Sequence, residues 1–230
     1  LLVDNGSSQG PALDQLSEGV RQLYCGAPGS YAARNLGASE AKGDLLAFTD
    51  ADCMPSSDWL ESAVQQYSRG ANRVTLVAGA VEMLPADATA PNLFELYDMA
   101  LGIPQALYVK RGHAATANLL VPNHLFRDLG GFDSTRFSGG DTDFCRRAIN
   151  SGAELIYCQE ARVQHRARSS LDAHVKKVQR IKGGQLLHGS ARTQFTSAVR
   201  SFLPPLRVWS RILRSPLLGV REKWSVCGLQ

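Results

Sequence analysis

Short apolar runs of strand length alternate along the chain with segments whose apolar residues recur at helical spacing. The strand-like runs cover residues 1–3, 45–48, 74–83, 116–121 and 155–157. The helical segments cover residues 30–41, 58–67, 92–101, 123–129 and 143–149, and most of the chain from residue 171 onward. Strands that alternate with helices predict a layered α/β fold with a mostly parallel central sheet. Because the chain begins directly on a strand, we expect the first strand of that sheet to be missing ahead of it.

Charge is divided unevenly along the 230 residues. Residues 1–160 carry 11 Lys and Arg against 19 Asp and Glu, whereas residues 161–230 carry 14 against 2. Carboxylates suit a metal site and a basic segment attracts phosphates or anionic surfaces, although a solubilising basic tail is the alternative. Because acidic residues nearly vanish by residue 190, we predict one domain over residues 1–190 and a basic helical extension over residues 191–230.

The five cysteines include no C-x-x-C pair, and their number is odd. This pattern predicts reduced thiols in a cytoplasmic protein, without a disulfide framework or a structural zinc site. No apolar stretch approaches the ~20 residues that a membrane-spanning helix needs, and no signal peptide is recognisable. We therefore expect a cytoplasmic protein, and peripheral contact with a membrane stays open.

Two aspartates one residue apart, Asp50 and Asp52, follow the apolar run that ends at Phe48. The ligands of α/β sheets bind at the carboxyl ends of parallel strands. Mg²⁺ and Mn²⁺ take oxygen ligands and share them with a diphosphate. Aspartates are also common in strand-end turns for their own hydrogen bonds, so the pair taken alone favours a turn.

Four further residues allow both a functional and a structural interpretation. Asp141 follows a glycine pair at a helix start, where it suits a ligand site or a helix cap, and Asp143 suits the positive end of the same helix dipole. Arg34 lies in an Ala-rich helix, where an exposed arginine is the structural alternative. His165 taken alone is more often a surface or core residue, but its surroundings favour phosphate contact through three arginines, namely Arg162, Arg166 and Arg168.

The order and spacing of these residues resemble glycosyltransferase family 2 over roughly residues 1 to 185. The matching motifs are specific jointly and not singly. They are Val3-Asp4-Asn5-Gly6-Ser7-Ser8, Ala33-Arg34-Asn35-Leu36-Gly37, Lys42–Asp52, Asp58-Trp59-Leu60, Thr116-Ala117-Asn118, Gly130-Gly131-Phe132-Asp133 and Gly140-Asp141-Thr142-Asp143-Phe144. The resemblance implies a GT-A fold and inverting transfer of one sugar from a UDP- or GDP-sugar to a hydroxyl of a saccharide or lipid-linked acceptor.

The resemblance also implies which residues bind the nucleotide-sugar donor. Asp4 corresponds to a carboxylate that contacts the nucleobase, and Arg34 to a basic residue near the base and the phosphates. Asp50 corresponds to the aspartate on the ribose or metal side. Asp143 belongs to a matching motif and is assigned to the donor site with them.

The metal and the catalytic base follow from the same resemblance. Asp52 corresponds to the direct ligand of Mn²⁺ or Mg²⁺, and His165 to a histidine that reaches the metal or the diphosphate. Asp141 corresponds to the catalytic base, while Gly140 stands where the family usually has Glu. The Gln-x-x-Arg-Trp motif of processive synthases is absent from the sequence, which favours single transfers.

Two other functions stay open. The missing first strand and Gly140 are compatible with a catalytically inactive GT-A protein that binds at a membrane surface. A nucleotidyltransferase shares the layered architecture and the metal carboxylates, but it needs a glycine-rich phosphate loop near its first strand. We expect no nucleic-acid partner for this chain.

A short helix is predicted between Pro205 and Pro216. Leu206, Trp209 and Leu213 share one of its faces, and the same segment contains Arg207, Arg211 and Arg214. Such a helix is only about 16 Å long, too short to cross a bilayer of ~30 Å. It suits the surface of an anionic membrane, or alternatively it packs on the catalytic domain with its arginines in water.

Overall fold

The computed structural model describes residues 1–7, 18–70, 73–188, 195 and 205–228. The described residues form seven strands: β1 (Leu2–Asp4), β2 (Gln22–Tyr24), β3 (Leu45–Thr49), β4 (Cys53–Pro55), β5 (Thr75–Leu84), β6 (Asn118–Pro122) and β7 (Glu154–Arg166). The helices are α1 (Ser30–Glu40), α2 (Trp59–Arg69), α3 (Leu93–Leu101), α4 (Gln105–Val109), α5 (Asn123–Asp128), α6 (Gly140–Asn150), α7 (Leu171–His188), α8 (Leu206–Arg214) and α9 (Val220–Cys227).

A five-stranded sheet in the order β3-β6-β5-β7-β4 forms the centre of the fold. β5 and β7 run parallel, but β6 is antiparallel to β3 and β5, and β4 is antiparallel to β7. The α/β class is confirmed, and the prediction of a mostly parallel sheet is wrong. The chain leaves β5 at Leu84 and re-enters the sheet beside the middle of β5, where Leu119 pairs with Ala78. β6 therefore runs back along β5 instead of crossing over.

β1 and β2 form a second, parallel sheet of two strands, in which Asp4 pairs with Tyr24. Helix α1 packs closely on this sheet, because a Cβ added to Gly37 would lie 3.1 Å from Val3 Cγ2. Tyr31, near the start of α1, belongs to the core of the central sheet. Helix α1 therefore contacts both sheets.

Two side-chain bridges join motifs that are far apart in the sequence. Asn35 donates to the carbonyl of Phe132 over 2.8 Å and accepts the Phe132 N–H over 2.9 Å. The Trp59 indole N–H donates to Asn118 Oδ1 over 2.8 Å, and the Asn118 amide donates to two strand carbonyls. Asn118 lies against β5 at Gly79, opposite a bulge of β7, and a Cβ added to Gly79 would lie 2.3 Å from Asn118 Nδ2. These motifs therefore have structural roles that their spacing alone does not reveal.

Aromatic rings fill the main core beside helices α1, α5 and α6. Neighbouring ring centroids lie between 5.0 and 5.5 Å apart in a cluster of Tyr31, Phe48, Phe126, Phe132 and Phe144. Tilted and edge-to-face ring pairs of this kind add stability beyond the area they bury. The packing fixes the ring of Tyr31 next to the start of α6.

The last two described helices pack on α3. Ile212 of α8 and Val226 of α9 are fully buried in a cluster with Leu96 and Leu218. The boundary predicted between residues 190 and 191 lies outside the described residues, and the division into two domains stays a prediction. In the described part of the chain, no helix combines the length and the apolar character that crossing a membrane requires.

Helix α8 lies between the two prolines, as predicted, but its packed face differs from the predicted apolar stripe. Val208 and Ile212 contact the cluster on α3. Leu206 and Leu213 are 64% and 44% exposed, whereas Trp209 is half-buried. The helix therefore packs on the domain through one face and leaves leucines of the predicted stripe in solvent.

Candidate active site

Arg34 and Asp50 form an ion pair at the end of β3. Arg34 projects from α1, and its guanidinium lies 2.5 Å from Asp50 Oδ1. The guanidinium also lies over the ring of Tyr31, 5.6 Å from its centroid. Both charged side chains keep part of their surface in solvent. The structure thus brings together two of the residues predicted for the donor site.

Asp52 and His165 meet because β4 pairs with the end of β7. In this pairing Cys53 lies directly opposite His165. The turn before β4 then carries Asp52 Oδ2 to 3.5 Å from His165 Nε2. The histidine side chain is only 5% exposed, while that of Asp52 is 61% exposed. The two residues predicted as metal ligands are therefore neighbours.

The backbone fixes the orientation of the His165 ring. Nδ1 lies 2.8 Å from the carbonyl oxygen of Arg166. Because a carbonyl can only accept, Nδ1 donates, and in the neutral ring Nε2 is left with a lone pair directed toward Asp52. Metal-binding histidines are commonly held in this way through their second nitrogen. The donor set of Asp52 and His165 therefore fits a divalent cation.

The arginines near His165 do not gather around it. Side chains of a strand alternate between its two faces, and along β7 His165 is buried while Arg162 and Arg166 are exposed. Arg168 donates instead to the buried carboxylate of Asp98 over 3.0 Å. The expected phosphate contact of this cluster beside His165 therefore lacks geometric support.

Asp141 is the second residue of α6, and its Oδ1 accepts two hydrogen bonds. The Tyr31 hydroxyl donates over 3.3 Å and the Thr142 N–H over 2.8 Å. Burial, together with the negative charge of Asp141, raises the pKa of Tyr31 to about 12, so this hydroxyl keeps its proton at neutral pH. Both hydrogen bonds fall on Oδ1, which leaves Oδ2 available to another group.

The ring of Tyr31 also explains the glycine that precedes Asp141. A Cβ added to Gly140 would lie 2.8 Å from Tyr31 Cε2, closer than real side chains approach. A glutamate at residue 140 is incompatible with this ring position. The position of the Tyr31 ring therefore explains why residue 140 is a glycine here and not the glutamate of the family motif.

Asp143 turns away from Asp141 on the same helix. It pairs with Arg147 over 2.9 Å and with Arg136 over 3.6 Å. Arg147 also donates to the carbonyls of Leu129 and Gly131, both over 2.7 Å. The Asp143 carboxylate thus takes part in holding α6 to the turn before it.

Asp4 lies at the end of β1 in the two-stranded sheet. Its Oδ1 accepts the Ser7 N–H over 2.9 Å, and this backbone hydrogen bond lowers the pKa of Asp4. The contacts described for Asp4 and Asp143 do not join either of them to Asp52, His165 or Asp141.

Sequence reasoning did not identify Tyr31 as a site residue. Its two polar neighbours, Arg34 and Asp141, belong to different motifs, and Asp141 is 110 positions away in the chain. The sequence shows only that a tyrosine precedes Arg34 by three residues. This spacing does not indicate a contact with Asp141, which becomes evident only when the structure places Gly140 against the Tyr31 ring.

The chain is similar to several known glycosyltransferases. Residues 1–111 match the family described as Glycosyl transferase family 2. Glycosyltransferase AglE of Haloferax volcanii is 35% identical over 200 residues, which cover 81% of this chain and 62% of the relative. Pre-mycofactocin glycosyltransferase of Mycobacterium tuberculosis is 33% identical over 148 residues, which cover 62% of this chain and 31% of the relative. The chain thus spans less than two thirds of the length of these curated relatives.

A solved structure shares the fold over most of the chain. The mannosyltransferase PcManGT from Pyrobaculum calidifontis, in complex with GDP-Man and Mn²⁺, superposes with a TM-score of 0.51 and 18% sequence identity. The superposition covers 90% of this chain and 55% of that protein. At this identity the likeness concerns the fold.

Proposed function

Because the chain belongs to glycosyltransferase family 2 and has the GT-A fold, we propose that it transfers one sugar from a nucleoside-diphosphate donor to an acceptor hydroxyl with a bound divalent metal. The observation that carries this proposal is the approach of Asp52 to within 3.5 Å of His165 Nε2, with the ring held through Nδ1. The Mn²⁺ and GDP-Man of PcManGT support a metal and a nucleotide-sugar.

Asp52 and His165 would hold Mn²⁺ or Mg²⁺. When bound, the metal would neutralise charge that develops on the departing diphosphate. Imidazole nitrogen suits transition metals better than Mg²⁺, so this donor set favours Mn²⁺ of the two. The exposed Asp52 leaves room for diphosphate oxygens beside it.

Arg34 would contact the donor from the other side of the same turn. Asp50 pairs with the guanidinium at the end of β3, and the guanidinium stacks over the Tyr31 ring. A guanidinium pre-oriented in this way loses little side-chain freedom when it binds a phosphate. Asp50 would also contact the ribose or the metal.

Asp141 would act as the general base. Tyr31 and Thr142 hold Oδ1, so Oδ2 would receive the proton of the acceptor hydroxyl as its oxygen attacks the anomeric carbon. A direct attack of this kind inverts the configuration at that carbon. The acceptor would be a saccharide or a lipid-linked hydroxyl.

The proposal also includes a cytoplasmic location and contact with a membrane surface. The five cysteines are free thiols, which supports a reducing, cytoplasmic setting. Exposed apolar side chains on α8, on α9 and in the turn between them lie near exposed arginines in the chain: Leu213, Leu217, Val220 and Trp224 near Arg214 and Arg221. These residues would contact an anionic membrane surface.

Metal-dependent donor binding and donor hydrolysis test the proposed activity. The assays use nucleoside diphosphates and their sugars, each with and without Mn²⁺, and follow thermal unfolding and release of nucleoside diphosphate. Asp52→Ala should abolish the Mn²⁺-dependent stabilisation while the protein stays folded. Asp172→Ala is the matched control, because Asp172 is a similarly exposed aspartate on α7.

Each alternative function predicts a different result. A catalytically inactive binding protein would be stabilised by nucleotide-sugars but would release no diphosphate. A nucleotidyltransferase would release pyrophosphate from a nucleoside triphosphate and a sugar phosphate. Undiminished metal-dependent binding by a folded Asp52→Ala protein would remove Asp52 from the metal site.

A further inference from the structure

We propose that Cys53 is a third metal ligand beside Asp52 and His165, and that the site therefore selects a thiophilic divalent cation such as Zn²⁺ or Co²⁺ over Mg²⁺. This inference rests on the metal site of the proposed function and not on the sugar-transfer reaction. It concerns the protein before a donor binds.

Strand pairing brings the sulfur of Cys53 to the other two ligands. Cys53 and His165 are directly opposite each other in the antiparallel pair of β4 and β7. One ligand atom from each of Asp52, Cys53 and His165 lies within 4.8 Å of the others. Side chains directly opposite on neighbouring strands share a face of the sheet, so sulfur and imidazole converge on the same space.

The distance between Asp52 and His165 already matches that of a filled site, and the Cys53 sulfur lies within 4.8 Å of both ligand atoms. In a tetrahedral zinc site with bonds of about 2.0–2.3 Å, the ligand atoms lie about 3.3–3.6 Å from one another. Asp52 Oδ2 and His165 Nε2 already lie 3.5 Å apart. The exposed Asp52 side chain can rotate, while the buried His165 is fixed by its hydrogen bond to Arg166. Closing the set around an ion therefore requires only small movements of Asp52 and Cys53.

The ligand types decide which cation is favoured. Thiolate and imidazole ligands favour zinc and its neighbours in the transition series, whereas Mg²⁺ prefers carboxylates, carbonyls and water. Three protein ligands of mixed type with a fourth position open are typical of reactive zinc sites. A diphosphate oxygen of the donor would be able to take the fourth position, and binding through sulfur would release the thiol proton to solvent.

Cobalt tests the proposal because a bond between Co²⁺ and thiolate gives a strong near-ultraviolet absorption band. The full chain is titrated with Co²⁺ without any nucleotide or sugar, and Zn²⁺ and Mg²⁺ are then added as competitors. We expect the thiolate band in the wild-type protein, its loss on addition of Zn²⁺, and little effect of Mg²⁺ at the same concentration. Cys53→Ser should lack the band and bind Zn²⁺ about tenfold or more weakly, as loss of a zinc-site group does.

Cys227→Ser is the control, because Cys227 is likewise half-buried but lies on α9. It should keep the full band. Cys53→Ala provides a second variant, and thermal unfolding of each metal-free variant checks its fold. A band that persists in both Cys53 variants, or no band in the wild-type protein, would overturn the proposal. Since no donor is present, a failed transfer assay leaves this result unaffected.

Discussion

The ring of Tyr31 occupies the space that a side chain at Gly140 would need. A Cβ on Gly140 would lie within 2.9 Å of three atoms of this ring. The ring is buried against Phe132, with 5.5 Å between centroids, and its hydroxyl donates to Asp141. Gly140 therefore leaves room for the tyrosine that donates to Asp141. The resemblance to the family implies a glutamate at residue 140, and that side chain would need the space of the ring.

Gly140→Ala should destabilise the protein because the packed Tyr31 ring cannot move aside freely. Overpacking a core contact typically costs about 1–3 kcal/mol. The free energy of unfolding, measured with urea, checks the prediction. Gly183→Ala on α7 is the control, because an added Cβ there meets no atom within 4 Å. It should leave stability unchanged or raise it by ~0.5–1 kcal/mol. Equal stability of Gly140→Ala and the wild-type protein would mean that the ring moves.

Asp141→Asn should lower turnover by ~10²–10⁴-fold, the usual contribution of a general base. An asparagine keeps an Oδ1 that can accept from Tyr31 and Thr142, so fold and donor affinity should change little. Steady-state kinetics with the donor identified in the binding panel measure both quantities. Asp128→Asn, at an exposed aspartate of α5, should behave as the wild-type protein. Turnover of Asp141→Asn near the wild-type rate would leave Asp141 with only its structural hydrogen bonds to Tyr31 and Thr142.

Part of the site could be predicted from the sequence. The family motifs predicted Asp50, Asp52 and Asp141 as candidate site residues, and the spacing of apolar residues predicted the elements that carry them. The approach of Asp52 to His165 depends on the register of β4 against β7, in which Cys53 opposes His165. That register joins residues far apart in the chain, and periodicity within each strand contains no information about it.

The direction of β6 and the partners of Asp143 could not be predicted from the sequence either. The direction of β6 depends on where the chain re-enters the sheet after α3 and α4, and a strand-helix-strand pattern does not encode this. The pairing of Asp143 with Arg136 and Arg147 follows from the approach of α6 to a neighbouring turn. The motif match predicted Asp143 for the donor site and Asp141 as the catalytic base, but in the structure Asp143 pairs with arginines whereas Asp141 accepts from Tyr31.

Asp98→Asn should destabilise the protein at neutral pH and have less effect in acid. Asp98 is buried on α3 and pairs with Lys177 over 2.9 Å and with Arg168 over 3.0 Å. Burial opposes ionisation, but the charge of Lys177 and the Arg168 amide outweigh it, so the pKa of Asp98 is lowered. A lowered folded-state pKa stabilises the fold above the ordinary carboxyl pKa, and this contribution is lost as pH falls through the folded-state value.

The expected cost at pH 7 is about 3 kcal/mol, at the low end for a broken buried pair because both cations are partly exposed. Urea unfolding at pH 7 and at about pH 3, below the ordinary aspartate pKa, measures the difference. Asp172→Asn, in an exposed ion pair on α7, should cost little at either pH. The same cost of Asp98→Asn at both pH values would show that packing, and not charge, makes Asp98 stabilising.

The last two described helices and the turn between them expose both apolar and basic groups, which would suit the proposed contact with a membrane surface. Leu217, Val220 and Trp224 are 59%, 74% and 69% exposed, and Val220 and Trp224 are four residues apart on α9. Side chains at this spacing share a helix face. Arg214 and Arg221 are exposed nearby in the chain. Deleting the helices would also remove the packing of Ile212 and Val226 on α3, so point variants test the surface more cleanly than truncation.

Leu217→Ser with Trp224→Ser should weaken binding to vesicles of phosphatidylcholine and phosphatidylserine by about tenfold or more, because two exposed apolar side chains lose their burial in lipid. Cosedimentation measures the bound fraction, and thermal unfolding confirms that the variant folds. Binding of the wild-type protein should require phosphatidylserine and weaken with added salt, since screening reduces the attraction between arginines and lipid headgroups. Phe137→Ser is the control for a lost aromatic group, because Phe137 is 57% exposed outside the C-terminal helices. Equal binding by the double variant and the wild-type protein would exclude this surface as a membrane contact, and salt-independent binding would exclude the role of the arginines.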